Sequence, residues 1–595
     1  MQRPKLKPAR KRQNYLRYVV WPAVRSWLLL WSVVVMIGMI PIMSDFLGNR
    51  YEVSVQDLVL PVIVVMLVAI IIAFGLYRFT KRNQFGGFVA TVVAAFLLTN
   101  NYENRLGSIY PILTAVVPLP KLSGAEGRIF SLIFIGLLLV FACMLGKLVS
   151  RLLERRNWSS HDLTVAGTIA VAFTFVMLAV PTTRTLINAW PQYFYKPPKL
   201  QVSATAPNNK PDIYYIVMED YANQTQLTNQ FGFKNTDFST FLSDNGYFLN
   251  PDAHQNYPYT TMSIASTLNA GYNTDLIDKF SSATSQTIVP YHRAVQYSSV
   301  VSELKSLGYS YDEIGSWYET TNHGPLADQF YLPDRRFTFF NHLNYLDDFT
   351  EGELSQSPFW RFLEAGVGIG HYTIAHYQGV NQTELTSDAL STLKSLVQDP
   401  AGGRFIFAHL IIPHEPFYYN ADGSLSTNSG QDNLGEPIKQ KYVNQIQYIN
   451  SQIEPILSEI KKQSNGQAVV ILQTDEGPQP MALNDNNFDQ DSDSDEINNQ
   501  DMRQWSDQDL DLKYGAMVAY SIPAASQTDL ENGANNVDVF RLVLDRYFGA
   551  NLSILPECYY AYPNGRGHTF VYDDITARLT GTASNICAAN GTGPK

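Results

Sequence analysis

Cysteine is scarce: the 595 residues contain three. That excludes a cysteine-rich zinc module, and the spacing of the three fits no zinc motif. Basic charge is also in deficit. Lys and Arg number 43 against 54 Asp and Glu, a net charge of −11. Phosphate backbones need basic patches, so nucleic acid is excluded as a partner. No repeat of 20–50 residues recurs. GVGIG, Gly366 to Gly370, lacks a following Lys-Ser/Thr and is no nucleotide loop. The acidic stretch Leu483 to Asp501 alternates Asp489, Asp491, Asp493 and Asp495 like a calcium loop. Ser494 stands where the turn glycine belongs and Gln500 where the bidentate glutamate belongs, so it reads as a solvated acidic segment.

What is abundant is apolar sequence in the first third. Five segments stand out: Trp27–Met43, Leu58–Tyr77, Phe85–Thr99, Ile129–Gly146 and Leu163–Val180. A spanning helix needs about 20 mostly apolar residues. The second, fourth and fifth segments meet that, the first does so with its flanks, and the third is short. The expectation is a membrane domain of five helices over residues 27–180, behind a basic N-terminus of residues 1–26. RPKLKPARKR, YRFTKR and KLVSRLLERR fall on one side if five helices alternate, and the positive-inside rule makes that side cytoplasmic. Everything after Val180 then lies outside a bacterial cell membrane. The first segment ends in no small-residue cleavage site and reads as an uncleaved anchor.

Residues 181–210 read as a proline-rich linker, with Trp190, Tyr193, Phe194 and Tyr195 suited to the membrane interface. From 211 to 595 the pattern changes. Apolar runs Ile213–Met218, Phe405–Leu410, Ala468–Leu472 and Ala516–Ile522 are separated by helical patterns such as Val300–Leu307, Leu385–Val397 and Ile438–Lys462. Continuous apolar strands alternating with helices predict an α/β domain with a mostly parallel sheet. Ligands of such sheets bind beyond the C-terminal strand ends. Cys558 and Cys587 fall in this external part, where a disulfide persists; spacing leaves open whether they are bridged.

The strand ends carry chemistry. PDIYYIVMEDYA ends in Glu219 and Asp220, FIFAHLIIPHEPF carries His409 and His414, and QAVVILQTDEGPQP ends in Asp475 and Glu476, with Gly477 for the turn away. One acid after a strand is usually a helix cap or a solvated loop residue. Converging carboxylates repel unless something positive lies between them, and a divalent ion is the usual answer. NYPYTTMSIASTLNAGY suits a helix from Thr260, with Met262, Ala265 and Leu268 on one face. Thr260 or Thr261 is then a plain N-cap, or a hydroxyl beside the positive helix end, where an anion binds and a metal can activate it as a nucleophile. Spacing alone does not choose.

The order of these pieces, DIYYIVMEDYA, TTMSIASTLN, PHEPF, TDEGPQP, KYGAMVAYSIP and VFRLVLDRYFGANLSILPE, resembles the alkaline phosphatase and sulfatase superfamily. Preceding membrane helices make it similar to the lipoteichoic acid synthase and phosphoglycerol transferase branch of sulfatase-like hydrolases and transferases. The likeness spans Pro211 to about Thr580. It implies Glu219 as the first acidic metal ligand, Thr260 as nucleophile and ligand (Thr261 the near alternative), Asp475 as a ligand, and His414, with His409, as substrate contacts. It implies a single divalent ion, Mn²⁺ or Mg²⁺. Glu476 departs from the family, which has histidine there; it either makes an all-oxygen site that also admits Ca²⁺ or marks loss of activity. No Cys/Ser-x-Pro-x-Arg motif surrounds Thr260, which disfavours sulfate esters. Arg566 and His568 of RGHTFVYDD either contact a substrate anion or lie in a surface loop. The resemblance implies a phospholipid donor, such as phosphoglycerol or phosphoethanolamine, a glycan or lipid acceptor in the cell envelope, and a phospho-threonine intermediate. A hydrolase, or a degenerate envelope-binding protein, is the alternative.

Overall fold

The computed structural model describes residues 21–80, 84–99, 124–156, 159–332, 337–340, 342–344, 346–357, 360–369, 372–377, 382–400, 402–426, 437–480, 501–533, 535–561, 570–582 and 586–587. Two compact units divide the chain: Met1–Asn188 with Arg335–Gly379, and Ala189–Asp334 with Val380–Lys595.

In the first unit the five apolar segments form helices: α1 (Trp21–Gly48), α2 (Val59–Thr80), α3 (Gln84–Thr99), α4 (Gly124–Glu154) and α5 (Ser160–Tyr193). Among the described residues, three spans are long and apolar enough to cross a membrane: Trp27–Gly48, Arg128–Leu153 and His161–Tyr193. Val59–Ala73 and Phe85–Leu98 are shorter apolar helices. Val33, Val34, Phe88, Ala94 and Phe134 are buried between helices. Ile129, Leu132, Phe141 and Phe173 face outward. Such a surface is sensible only against lipid.

The stretch read as a linker begins as helix, because α5 continues through Pro181 and Pro191 to Tyr193. An apolar surround leaves the backbone no partner but itself, so a helix there tolerates proline. Of the four aromatics expected at an interface, Trp190 and Phe194 are exposed, whereas Tyr193 and Tyr195 are buried. Tyr195 packs edge-on against Phe280.

The second unit is built on a seven-stranded sheet of order β2-β11-β10-β1-β9-β3-β4. The strands are β1 (Ile213–Met218), β2 (Phe248–Leu249), β3 (Ser310–Ile314), β4 (Gln329–Tyr331), β9 (Arg404–Leu410), β10 (Val469–Thr474) and β11 (Val518–Ser521). From β10 through β1, β9 and β3 to β4 every pairing is parallel. β11 and β2 are added antiparallel at one edge, so the fourth apolar run is a strand of opposite sense. β1 is buried throughout, and its residues divide between two cores. Ile213, Tyr215 and Val217 pack on one face; Tyr214, Ile216 and Met218 pack on the other. A strand covered on both faces must be apolar at every position, which explains the unbroken run.

Helix α6 (Thr260–Leu268) covers the first face through Met262, Ile264, Ala265 and Leu268. The long helix α7 (Ile438–Gln463) covers the second through Tyr442, Ile446, Ile449, Ile453 and Ile456. Cys558 and Cys587 are joined in a disulfide.

Candidate metal and nucleophile site

Parallel register places the site. Met218 lies beside Leu410 on one side and Thr474 on the other. Glu219, one residue past β1, donates its N–H to Leu410 O at 3.0 Å and so stays level with its neighbours. Asp475 is one residue past Thr474, at the same height. His409 is the register partner of Val217. Side chains alternate with period two, so Val217, Glu219, His409 and Asp475 share the face that α6 covers.

The result is a buried group of Glu219, His409 and Asp475, with one donor atom of each within 4.8 Å of the others. His409 Nε2 stands 2.7 Å from Glu219 Oε2. Both atoms, with Asp475 Oδ1 and Oδ2, are buried without a hydrogen-bond partner. Four orphaned polar atoms converging at one strand edge carry a high desolvation cost. Two donors each about 2.0 Å from one ion lie about 2.8–3.3 Å apart at right-angle or tetrahedral geometry. The residues therefore fit a divalent cation, in a mixed nitrogen–oxygen set. Burial first, then the charges of Glu219, Glu476 and Asp220, push Asp475 well above the usual carboxylate range. For Glu219 burial is outweighed by the His409 imidazole, with His414 and Thr260 assisting, and its proton affinity falls below the ordinary value.

Thr260 is the first residue of α6. The capping position is Tyr259, extended and with no side-chain cap bond, so neither threonine is the N-cap. Thr260 Oγ1 instead donates to Glu219 Oε1 at 3.0 Å. Thr261 turns away and bonds Thr320 Oγ1 at 2.9 Å and Tyr318 OH at 3.1 Å. The geometry separates the two hydroxyls that spacing left equivalent.

The acids next in sequence take other partners: Asp220, past β1 at a φ of 58°, groups with His414 and Glu415. Glu476 Oε1 is 2.9 Å from Lys513 Nζ, an ammonium buried with it. Burial raises the Glu476 carboxyl to about 7 against the opposing pull of Lys513. Glu476 Oε1, on the acid expected as a metal ligand, is held by an internal counter-ion while its Oε2 stays buried without a hydrogen-bond partner, and His409, expected at the substrate, is placed among the donors. Gly477 has an ordinary φ; its need is proximity, since a Cβ would meet Leu512 O at 2.1 Å. A second group, Asp220, His414 and Glu415, stands nearby, and it too could hold a cation. His414 Nε2 is 3.7 Å from Asp220 Oδ2, with its side chain 24% exposed. Burial disfavours its charge, but Glu415, Asp220 and Glu219 together raise its proton affinity well above normal. Arg566 and His568 lie outside the described residues, as does the acidic stretch before Asp501.

Two supporting residues had no role assigned from the sequence. The loop after β3 supplies Thr321, whose Oγ1 meets His409 Nδ1 at 2.8 Å. Lys513, the first residue of KYGAMVAYSIP, comes from the helix Asp507–Tyr514. Thr321 follows a strand of the parallel sheet, where such sheets gather their ligands, and that is the one sequence signal it had.

A family model described as Sulfatase matches residues 211–512. No curated protein matches. Among solved structures, the C-terminal periplasmic domain of EcEptC from Escherichia coli, in complex with Zn, is 11% identical with a TM-score of 0.39, covering 67% of this chain and 100% of that one. The corresponding domain of phosphoethanolamine transferase EptC from Campylobacter jejuni is 11% identical with a TM-score of 0.33, covering 59% and 92%. A protein in the alkaline phosphatase superfamily from Vibrio parahaemolyticus is 11% identical with a TM-score of 0.33, covering 63% and 76%.

Proposed function

The chain belongs to the sulfatase family, and on that footing we propose that this sulfatase-like enzyme moves a phospholipid headgroup, of the phosphoglycerol or phosphoethanolamine kind, to a glycan or lipid of the cell envelope. The observation that carries the reading is the Thr260 hydroxyl, buried at a helix N-terminus and directed at Glu219 beside the Asp475 carboxylate oxygens and His409 Nε2, which have no hydrogen-bond partner. Glu219, His409 and Asp475 would hold a divalent cation, which when bound supplies Lewis-acid polarisation of a phosphoryl oxygen and favours the ionised hydroxyl. The imidazole removes the reason to prefer an all-oxygen ion, so Zn²⁺ stands beside Mn²⁺ and Mg²⁺ as a candidate.

In this reading Thr260 Oγ1 attacks phosphorus and its proton passes to Glu219 Oε1. The phosphorus–oxygen bond to the lipid breaks, and His414, charged and at the more exposed side, gives a proton to the departing alcohol. A hydroxyl of the acceptor then displaces Thr260 from phosphorus, giving its proton to the now neutral His414 while Thr260 Oγ1 takes its own proton back from Glu219. The positive end of α6 steadies the anionic group throughout.

We also propose five crossings with the N-terminus cytoplasmic and the sheet-bearing unit outside. Two contacts support that topology. Thr350 Oγ1 donates to Asp57 O, just before α2, and Arg128, near the start of α4, donates to Gly366 O. Alternating crossings put both helix ends on the outer side, and one segment of the chain touches both.

The test uses the full-length protein with vesicles carrying phospholipid labelled in its headgroup. We expect Thr260→Ala to lose turnover by about three orders of magnitude or more, as removal of a nucleophile does, and Thr260→Ser to keep part of it. Label should collect on Thr260 when no acceptor is present. Turnover by Thr260→Ala at the wild-type rate would end the nucleophile assignment. Label appearing only in water would make the enzyme a hydrolase.

A further inference from the structure

The first unit contains a second, four-stranded antiparallel sheet of order β6-β5-β8-β7. Its strands are β5 (Phe337–Phe339), β6 (His342–Asn344), β7 (Val367–Ile369) and β8 (Tyr372–Tyr377). The motif GVGIG, which is no nucleotide loop, supplies β7. Neither 337–346 nor 365–379 contains a single Asp, Glu, Lys or Arg, in a chain where such residues make up 16%.

One end of this sheet is apolar and open. Phe339 is 46% exposed, Phe340 47%, Tyr372 46% and Ile369 75%. The patch is continuous: the Phe339 and Phe340 rings are 4.3 Å apart, Phe340 and Tyr372 are 6.4 Å apart, and Ile369 pairs with Tyr372 across the strands. These exposures match those of the outward side chains of α4, such as Ile129 at 55%. The sheet is fastened at the membrane boundary. Arg128 Nη1 donates to Gly366 O at 2.8 Å, and Arg128 immediately precedes the long apolar run of α4 that begins at Ile129. Gly366 immediately precedes β7, so Ile369, three residues on, is within about 10 Å of that anchor at the rise of a strand. The helix Trp360–Glu364, just before β7, packs on α4 itself.

From this placement we propose that the Phe339–Phe340 turn and the Ile369–Tyr372 pair are seated in the interfacial layer of the outer leaflet, as a contact with lipid additional to the helices. Rings and aliphatic side chains with no formal charge are suited to the headgroup–acyl boundary, and tyrosine can keep its hydroxyl in the wet layer. The absence of Lys and Arg makes the contact apolar, indifferent to anionic lipid. The inference rests on the membrane assignment of the helices and is independent of the chemistry at Glu219, His409 and Asp475.

The test uses the full chain in a Cys143→Ser background, reconstituted in phosphatidylcholine vesicles. An environment-sensitive dye is placed at Ile369→Cys, at Phe340→Cys as a second position on the same end, and at Lys462→Cys as an exposed reference in the other unit. We expect blue-shifted emission and severalfold stronger quenching by brominated acyl chains at 369 and 340 than at 462, unchanged when anionic lipid is added. Equal quenching at all three positions would overturn the proposal. So would a blue shift that ignores brominated chains and fades as protein is diluted in the bilayer, which would give this end to a second copy of the chain.

Discussion

His409 is held from behind at one ring nitrogen: Nδ1 meets Thr321 Oγ1 at 2.8 Å, while Nε2 faces Glu219 Oε2 at 2.7 Å. A threonine that fixes the ring from behind acts on a bound ion without touching it. Such outer partners are worth about 10–100-fold in metal affinity. Thr321→Val should weaken Mn²⁺ or Zn²⁺ binding by about that factor in a calorimetric titration, while His409→Ala should weaken it further. Unchanged affinity in His409→Ala would remove the histidine from the donor set. At this scale the sequence was partly readable. Glu219 and Asp475 stood out because each ends an apolar run. His409 lies inside its run, before the strand ends, and the family resemblance places it with His414 at the substrate. The signal was parity: in parallel register with Val217, an odd position on β1, the histidine shares a face with Glu219.

Strand β3 carries a buried acid that no motif pointed to. Glu313 is in the sheet interior with Tyr311 OH donating to Oε2 at 2.9 Å. Burial, only partly offset by that hydrogen bond, raises its carboxyl from 4.5 to about 8. The folded protein therefore keeps a proton there that the unfolded chain has lost. Between those two values the native state binds more protons, so stability is full below pH 4.5 and declines as pH rises towards 8. Glu313→Gln should flatten that slope, so that its melting temperature exceeds the wild type's by more at pH 8 than at pH 5, for a contribution on the order of a few kcal/mol. A wild-type stability that does not fall across this range would refute the assignment. The elements themselves were readable where burial imposes a pattern. The runs at β1, β9 and β10 and the helices Gln382–Val397 and Ile438–Gln463 lie where the apolar spacing put them. The antiparallel sense of β11 was not, because an apolar run has no direction written in it. Nor was the continuation of α5 past Pro181, since proline removes a backbone hydrogen bond without always ending a helix, as Pro455 inside α7 also shows.

For the whole molecule, the disulfide between Cys558 and Cys587 closes a loop across a sequence separation of 29 residues. In the chain-entropy account a loop of that size stabilises by about 3.5 kcal/mol. A Cys558→Ser, Cys587→Ser variant should therefore melt several degrees lower, and reductant should lower the wild-type transition but not the variant's. Equal melting of the two would show that the tail is held by its packing alone. The positions of the two cysteines outside the apolar third made a bridge conceivable; only the fold brings them together. The division into units shows a similar limit, because residues 335–379 interrupt the catalytic sequence yet associate with the helices. That insertion is possible because of how the donors are spaced. Glu219, His409 and Asp475 ride on three adjacent strands, and neighbouring strands lie about 4.8 Å apart whatever their side chains. The backbone ladder is thus a ruler that sets the size of the ion's seat. Loops on other strands, such as the one after β4 at the rim of the sheet, can lengthen, acquire a membrane-facing sheet or be exchanged between relatives, and the seat keeps its dimensions.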